Sequence, residues 1–167
     1  EVESELHDVD VEAHGEVLPA RRFVLQPEVT GRLTEVSENM QPGGVISEGE
    51  LIYEVDRSQY RMLLEQRRAE IEQAEASLRL EEGQQDLAER EWALFEDRFP
   101  TEEDPSLALR EPQYESAVAA LEAAESREDL AQLDLRRTRF EAPYDVFVQQ
   151  ESAEIGQLVS PQSQLAT

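Results

Sequence analysis

The sequence contains no cysteine and no lysine, and its 15 basic residues, all arginine, stand against 39 acidic ones in a chain of 167. Without cysteine there can be no disulfide, no thiolate metal site and no cysteine nucleophile. The net charge of −24 argues against nucleic acid and anionic lipid as partners, because both bind cationic surfaces. Hydrophobic residues still make up 39% of the chain in periodic blocks, which predicts a folded, strongly solvated protein.

Long apolar runs are also missing. The sequence contains no run of about 18 consecutive apolar residues, the length that could span a membrane. The first ten residues, EVESELHDVD, do not form a signal peptide. If the protein is exported or anchored, we expect the segment responsible to be missing from this chain.

The sequence lacks the common signatures of catalysis and metal binding. There is no glycine-rich phosphate loop and no Ser-His-Asp order. The abundant carboxylates are expected to be solvated or to pair with arginines, as Glu75 does with Arg79 in the i,i+4 relation. His7 and His14 stand seven apart in an acidic arm without a third placed ligand, so we expect no metal site. We therefore predict that the protein is not an enzyme and carries no cofactor.

Two β blocks flank a long helical region. Alternating apolar residues and Pro/Gly turns predict short strands over 24–56, after an acidic arm over 1–23 that holds one strand at Val9 to Val11. Strand-like alternation returns over 140–167. The outlines GRLTEV…GGVISEGEL and DVFVQQ…GQLVSPQSQL follow one plan of strand, turn, glycine, Val/Ile-Ser and turn. Two half-motifs therefore flank the helices and are expected to form one β domain.

The helical region, 57–139, predicts an antiparallel coiled-coil hairpin with its tip at about 98–104. Asp56 or Ser58 would cap the first helix, whose apolar seam includes Leu64, Ile71, Ala74 and Leu78. Beyond Leu80 the apolar positions move to Leu87 and Leu94, which predicts a stutter in the seam. The second helix starts or kinks near Glu111-Pro112, and its seam holds the following residues: Tyr114, Ala117, Leu121, Ala124, Ala131 and Leu135.

This plan resembles the lipoyl/biotinyl half-barrel (barrel-sandwich hybrid) split by a helical hairpin in the periplasmic adaptor subunits, or membrane fusion proteins (haemolysin D-like), of tripartite efflux pumps. The matching stretches are PEVTGRLTEV, ISEGELIYEVD, YRMLLEQRRAEIEQAEASL, LDLRRTRFEAPYDVFV and GQLVSPQSQLAT. The usual glycines of two turns are Val146 and Gln162 here, which predicts altered turn geometry. The family continues into a β-barrel and a membrane-proximal domain, so the resemblance implies that this chain is a fragment.

The resemblance implies a non-catalytic adaptor that links an inner-membrane transporter to a TolC-like outer-membrane channel. The protein would be periplasmic, anchored to the inner membrane in full length, and would self-associate into a ring of three or six copies. The transporter could be of the resistance-nodulation-division (RND), ABC or major-facilitator type. The hairpin length and the stretch ALREPQ favour the RND type, engaged in multidrug export. Lipoyl and biotinyl carriers need a lysine, so a swinging-arm role is excluded.

Adaptors of this family meet the channel through an Arg-x-x-x-Leu-x6-Ser pattern at the hairpin tip. Arg90, Leu94 and Thr101 fit that spacing, with threonine in place of serine. The alternative is that Arg90 is only a solvated residue and Leu94 only part of the seam. A rival for the whole protein is a free-standing coiled-coil interaction module, whose β ends clamp the hairpin and which has no export role.

Overall fold

The computed structural model describes residues 12–15, 21–96 and 105–167. Both helices lie between the third and fourth strands, so the α+β architecture with an inserted helical hairpin is confirmed. The strands are β1 (Gly31–Val36), β2 (Val45–Ile46), β3 (Leu51–Val55), β4 (Arg139–Glu141), β5 (Val146–Phe147) and β6 (Leu158–Val159), and the helices are α1 (Ser58–Glu96) and α2 (Glu111–Arg137). The strand expected at Val9 to Val11 and the expected tip at 98–104 lie outside the described residues.

Each of the two sheets combines strands from both sides of the hairpin. One has the order β4-β3-β1-β6 and the other pairs β2 with β5, and every pairing is antiparallel. Gly31 lies opposite Val159 in the first sheet, and Ile46 lies opposite Val146 in the second. Neither half can therefore complete its sheets alone. We call this unit, residues 21–56 and 138–167 without the hairpin, the β body.

The two half-motifs occupy equivalent places about an approximate twofold. The backbone N–H of Gly43 donates to Val148 and that of Gly156 donates to Leu33, and both glycines have a φ of 90°. The outward Val45 and Leu158 are 60% and 70% exposed, whereas their neighbours Ile46 and Val159 are each 1% exposed. The repeat seen in the sequence is thus a repeat of hydrogen bonding and burial.

One of the two glycine replacements changes a turn as expected. Gln162 stands where the first half has Gly49, whose φ is 80°, and among the described residues Arg110 is the one non-glycine with a positive φ. The turn at Gln162 is therefore built without the left-handed residue that the first half uses. Val146, in contrast, lies in β5 opposite Ile46 and is accommodated in a strand.

A single apolar cluster fills the β body. Tyr53 stacks on Phe140 with ring centroids 5.7 Å apart, and burial raises the pKa of the Tyr53 hydroxyl to about 12. The buried members of the cluster are Leu25, Val29, Leu33, Met40, Ile46, Ile52, Tyr53, Val55, Ala142, Val148, Ala153, Val159 and Leu165. They come from both halves of the chain, so folding of the β body brings the two ends of the hairpin together.

The root of the hairpin is fixed to the β body by direct bonds. The Tyr60 hydroxyl donates to the Thr30 carbonyl (2.7 Å), and Arg137 Nε lies 2.7 Å from Glu28 Oε2. The side chain of Asp56 accepts a hydrogen bond from the Ser58 N–H (2.9 Å), which caps α1 and holds the pKa of that carboxyl below its usual value. None of the described helical segments has the length and apolar character needed to cross a membrane.

Candidate docking surface on the helical hairpin

The face of α1 that meets α2 follows one unbroken heptad frame. The positions are Tyr60, Leu64, Arg67, Ile71, Ala74, Leu78, Glu81, Gln85, Ala88 and Trp92, and all are buried or half-buried. Spacings of three and four alternate without interruption along this inner seam, as in a regular coiled coil. At 39 residues, α1 would extend about 58 Å at the α-helical rise.

The matching face of α2 is equally regular. Its buried or half-buried positions are Tyr114, Ala117, Leu121, Ala124, Glu128, Ala131, Leu135 and Thr138, which includes all six residues predicted from the sequence. Arg68 on α1 contacts Glu128 at 3.3 Å, and Arg110 at the start of α2 contacts Glu81 at 2.7 Å. The later residue of α1 contacts the earlier residue of α2, so the helices are antiparallel.

The stutter expected after Leu80 is wrong. The side chains of Leu80, Leu87 and Leu94 are 62%, 57% and 74% exposed, so these leucines do not continue the inner seam. Polar Glu81 and Gln85 take the inner positions instead. Glu81 is accommodated there because Arg110 places its guanidinium against it, with Nη2 2.7 Å and Nε 3.3 Å from the same carboxylate oxygen. Because the carboxylate is paired in this way, its half-buried position in the seam lowers the stability of the hairpin little.

The start of α2 is built around Arg110. The helix begins at Glu111 with a proline in its first turn, which confirms Glu111-Pro112 as a helix start rather than a kink. Arg110 has φ 59° and ψ 22°, the left-handed region, and no side-chain hydrogen bond caps the helix. Residues 105–110 form turns before it. The ion pair with Glu81 thus also holds the entry into α2.

Three exposed leucines lie in line on the outside of α1. Their spacing of seven places them on one helix face, and we call Leu80, Leu87 and Leu94 the outer stripe. Arg90 lies on the same face, one turn from Leu94 and from Leu87. It is exposed, and its side chain makes no hydrogen bond or ion pair with any residue that the structure describes.

The structure thus brings together two of the three residues predicted to dock. Arg90 and Leu94 share an exposed face, and Leu94 belongs to the outer stripe rather than to the α1–α2 seam. Thr101 lies outside the described residues. Sequence reasoning missed Leu80 and Leu87 as exposed neighbours of this pair. The signal was present in their spacing of seven, but it was interpreted as inner seam.

Several residues outside the outer stripe are placed as follows. Trp92 lies on the inner face of α1 and lines a shallow cavity with Ala88 and Ala108. His14 is exposed and His7 lies outside the described residues. Within the described part of the chain, no three histidine, aspartate or glutamate side chains come together as they would around a metal ion. Arg79 pairs with Glu75 at 3.5 Å, as predicted.

Solved structures with the same arrangement identify the fold. MacA from Actinobacillus actinomycetemcomitans aligns over 88% of this chain with a TM-score of 0.71 and 18% identity. A membrane fusion protein from Streptococcus pneumoniae aligns over 81% with a TM-score of 0.59 and 17% identity, and the periplasmic adaptor protein EmrA aligns over 86% with a TM-score of 0.52 and 14% identity. This chain has the fold of the membrane fusion proteins.

The membrane fusion protein fold is matched over part of those proteins' length. The chain spans 48% of MacA, 52% of the streptococcal protein and 70% of EmrA. No protein-family model and no curated protein sequence matches this chain. At these identities the likeness concerns the path of the backbone, and the function has to be argued from the residues of the chain itself.

Proposed function

We propose that the chain is the adaptor of a tripartite export system, which joins an inner-membrane transporter to a TolC-like outer-membrane channel and seals the conduit between them. The observation that carries this proposal is the insertion of a long antiparallel hairpin into a β body closed by strands from both sides of the insertion. Such a hairpin projects from a fixed base and can span a gap between two partners. The likeness to the fold of membrane fusion proteins supports the same role.

The root of the hairpin is stiff enough to transmit movement. Strand β3 leads into α1 through Asp56, whose N–H donates to the Arg32 carbonyl at 2.8 Å. Where α2 returns, the carbonyl of Thr138 accepts the N–H of Val55 at 2.7 Å, and Thr138 is fully buried. The root of α1 is thus bonded to β1 and that of α2 to β3, two strands that pair with each other. A displacement of the β body would be carried along the hairpin rather than lost at its base.

The docking end would use Arg90, Leu94 and Thr101. Arg90 presents a guanidinium that is not engaged by any described residue, and such a fork can pair with backbone carbonyls at the ends of a channel's helices. Leu94, 74% exposed, offers an apolar knob beside it. Leu87 extends the same face by two turns. Thr101 enters the proposal on spacing alone.

The remaining features of the proposal concern assembly and place. The adaptor would act in the periplasm, serve a transporter of the RND type in multidrug export, and close into a ring of three or six copies through a head-to-tail interface. Its β body would be a lipoyl-like domain used as a structural element. It would perform no bond chemistry, in keeping with a chain that has no lysine to carry a swinging arm.

A coiled-coil interaction module without an export role is the second candidate. The outer stripe favours it, because leucines at spacings of seven on one helix can form a seam with another helix. In that case α1 would pair with a helix of its partner along the stripe. This candidate predicts a stable dimer through the helices and indifference to any channel protein.

Cysteine cross-linking tests the adaptor proposal, because the chain has no cysteine of its own. We would place a cysteine by Leu94→Cys or Thr101→Cys, attach a photoreactive maleimide, and offer the protein to a TolC-like channel. The matched control is Ala76→Cys, since Ala76 is exposed at mid-hairpin whereas Ala74 faces α2 and would be unreactive for that reason alone. Adducts from the hairpin end and none from Ala76→Cys are expected. Equal labelling from both positions, or none from either, would contradict docking through Arg90, Leu94 and Thr101.

Sizing of the protein across ionic strength tests the ring. A net charge of −24 opposes association at low salt, and salt shortens the Debye length from about 10 Å at 0.1 M to about 3 Å at 1 M. We expect oligomers of three or six copies to appear as salt rises. A monomer at every salt and protein concentration would count against the ring, and a dimer that the substitution Leu87→Glu abolishes would support the coiled-coil module.

A further inference from the structure

A cavity of about 360 Å³ lies on the β body, and the described residues that line it include none from the hairpin. Its walls come from residues 21–23, from β5 and from the residues around that strand, with Phe23 set edge-on to Tyr144 at a centroid distance of 6.2 Å. Phe147, 60% exposed, also contributes its side chain to the lining. The volume falls in the range of about 300–1,000 Å³ that small-ligand pockets occupy. We call it the arginine cavity.

Two adjacent arginines line this cavity without an ion pair to any carboxylate in the described part of the chain. Arg21 and Arg22 form no ion pair with any described residue, and Arg22 Nη2 donates to the neutral side chain of Gln149. Arg21 and Arg22 thus differ from the arginines that acids hold, for example Arg67 by Glu70 at 2.7 Å and Arg137 by Glu28 at 2.7 Å. Guanidinium groups in a cavity that form no ion pair with described residues are suited to an anionic group.

The acidic side chain in the described lining is already engaged. Asp145 Oδ1 accepts a hydrogen bond from the backbone N–H of Glu48 at 2.9 Å. That bond joins the Asp145 carboxylate to a turn in the first half of the β body. Asp145 is therefore fixed in place by the fold rather than by Arg21 or Arg22, which form no ion pair with it.

The cavity continues into an apolar recess. Phe23 and Phe147 line both the arginine cavity and a smaller pocket beneath it, whose further walls include the core residues Leu25, Met40 and Ile46. That recess holds about 30 Å³ of free space, about one water molecule. Phe147, which lines both, is 60% exposed. A ligand could thus place an anionic group near the arginines and an apolar body between the two phenylalanines.

We propose that the arginine cavity binds a small amphipathic organic anion, with one aromatic or branched apolar body and one sulfonate or carboxylate group. The charge of Arg21 and Arg22 selects the head group, and the rings of Phe23, Tyr144 and Phe147 select the body. This site is independent of the adaptor proposal, because no described residue of the hairpin takes part in it. If the protein does not dock to a channel, the proposal for the cavity still stands. If the cavity does not bind an anion, the adaptor proposal still stands.

Fluorescence titration with 1-anilinonaphthalene-8-sulfonate tests the proposal, with the uncharged N-phenyl-1-naphthylamine as its matched probe. We expect one sulfonate probe to bind per chain and the double variant Arg21→Gln/Arg22→Gln to weaken it about tenfold, the loss expected for hydrogen bonds to a charged group. The same variant should leave the uncharged probe within about twofold, on the same reasoning. Phe147→Ala should weaken both probes.

Arg136→Gln is the control, since Arg136 is exposed on α2 and forms no ion pair with any described residue. It should bind both probes as the parent does. Equal losses of the two probes in the arginine variant, or unchanged sulfonate binding in it, would overturn the proposal. So would a loss of the same size in Arg136→Gln, because binding would then follow overall charge rather than the cavity. Far-ultraviolet circular dichroism of each variant establishes that it is folded.

Discussion

The β body and the hairpin bury apolar residues to very different degrees. The β body holds thirteen buried apolar side chains in one cluster, whereas the described part of the hairpin holds three, Leu64, Ala124 and Ala131. The rest of the inner seam is half-buried and includes charged Arg67, Glu81 and Glu128. Conversely, the hairpin exposes the three leucines of the outer stripe.

This difference suggests that the β body provides most of the stability, whereas the hairpin offers a surface for contact with a partner. Burial of apolar surface is the main favourable contribution to folding, so the β body should carry most of the free energy of unfolding. The hairpin adds length and an exposed apolar line at modest stability of its own, because an isolated helix pair with a polar seam gains little from burial. Any partner that covers the outer stripe would supply burial that the hairpin lacks.

Substitution of a β-body leucine should have the largest effect. Leu165 is fully buried, and its backbone N–H donates to the carbonyl of Leu25, on the other side of the hairpin insertion. Leu165→Ala should lower the free energy of unfolding by about 3 kcal/mol, the usual cost of a buried leucine truncated to alanine.

Leu87→Ala is its matched control on the outer stripe, where the expected change is below about 0.5 kcal/mol. Urea unfolding followed by circular dichroism measures both. Equal losses would refute the view that the β body alone holds the core.

A pair of glycines should respond to the same substitution with opposite signs. A Cβ at Gly44 would lie 1.9 Å from the backbone oxygen of Asn39, which cannot move without breaking the turn. We expect Gly44→Ala to destabilise the protein by about 2 kcal/mol, within the range for overpacking.

Gly83 lies within α1, and a Cβ there meets nothing within 4 Å. Gly83→Ala should therefore raise the free energy of unfolding by about 1 kcal/mol, the helix-propensity difference between the two residues. Thermal melts of the two variants beside the parent give the signs directly. A destabilised Gly83→Ala would mean that the described helix is bent or in contact at this position.

The cross-helix ion pair should contribute more than an ion pair within one helix. Glu81 and Arg110 are both partly buried and joined by two hydrogen bonds, so a double-mutant cycle with Glu81→Gln and Arg110→Gln should give a coupling of about 1 kcal/mol. The same cycle on the exposed Glu75 and Arg79 should give about 0.3 kcal/mol. Equal couplings would mean that the pairing of Glu81 with Arg110 does not account for the polar inner seam.

The sequence predicted the β body better than the hairpin surface for a physical reason. Strand spacing, turn glycines and the repeated outline leave one arrangement in which Ile46 and Val159 both face inwards. Along α1, by contrast, the residues from Leu80 to Leu94 fit two heptad frames. The sequence favours the frame of Leu80, Leu87 and Leu94, but the frame that includes Glu81 and Gln85 is the one that faces α2.

The choice between the two frames depends on the partner helix. Arg110, 29 positions further along the chain, supplies the cation that makes Glu81 acceptable in the seam. Periodicity in one segment cannot contain that information. The predictions for Thr101 and the tip stay predictions, since they fall outside the described residues.

The smallest expected effect is on the pKa of one carboxyl group in each region, because the two groups are stabilised by different hydrogen-bond donors. In the β body, hydrogen bonds from the Asn39 side chain and the Ser47 N–H lower the pKa of Glu50 below its usual 4.5, and in the hairpin hydrogen bonding to Arg67 lowers that of Glu70. Both carboxyls therefore add stability that is fully present above 4.5 and is lost as the pH falls through the lowered folded-state pKa.

Salt should separate them, because it screens the charge of Arg67 and leaves the neutral amide of Asn39 unaffected. We expect the pKa of Glu70, followed by NMR titration, to rise towards 4.5 in 1 M sodium chloride, with Glu50 nearly unchanged. Arg67→Gln should raise the pKa of Glu70 alone, and Asn39→Ala that of Glu50 alone. Parallel shifts of both groups with salt would mean that the overall charge of −24, rather than these local bonds, sets both pKa values.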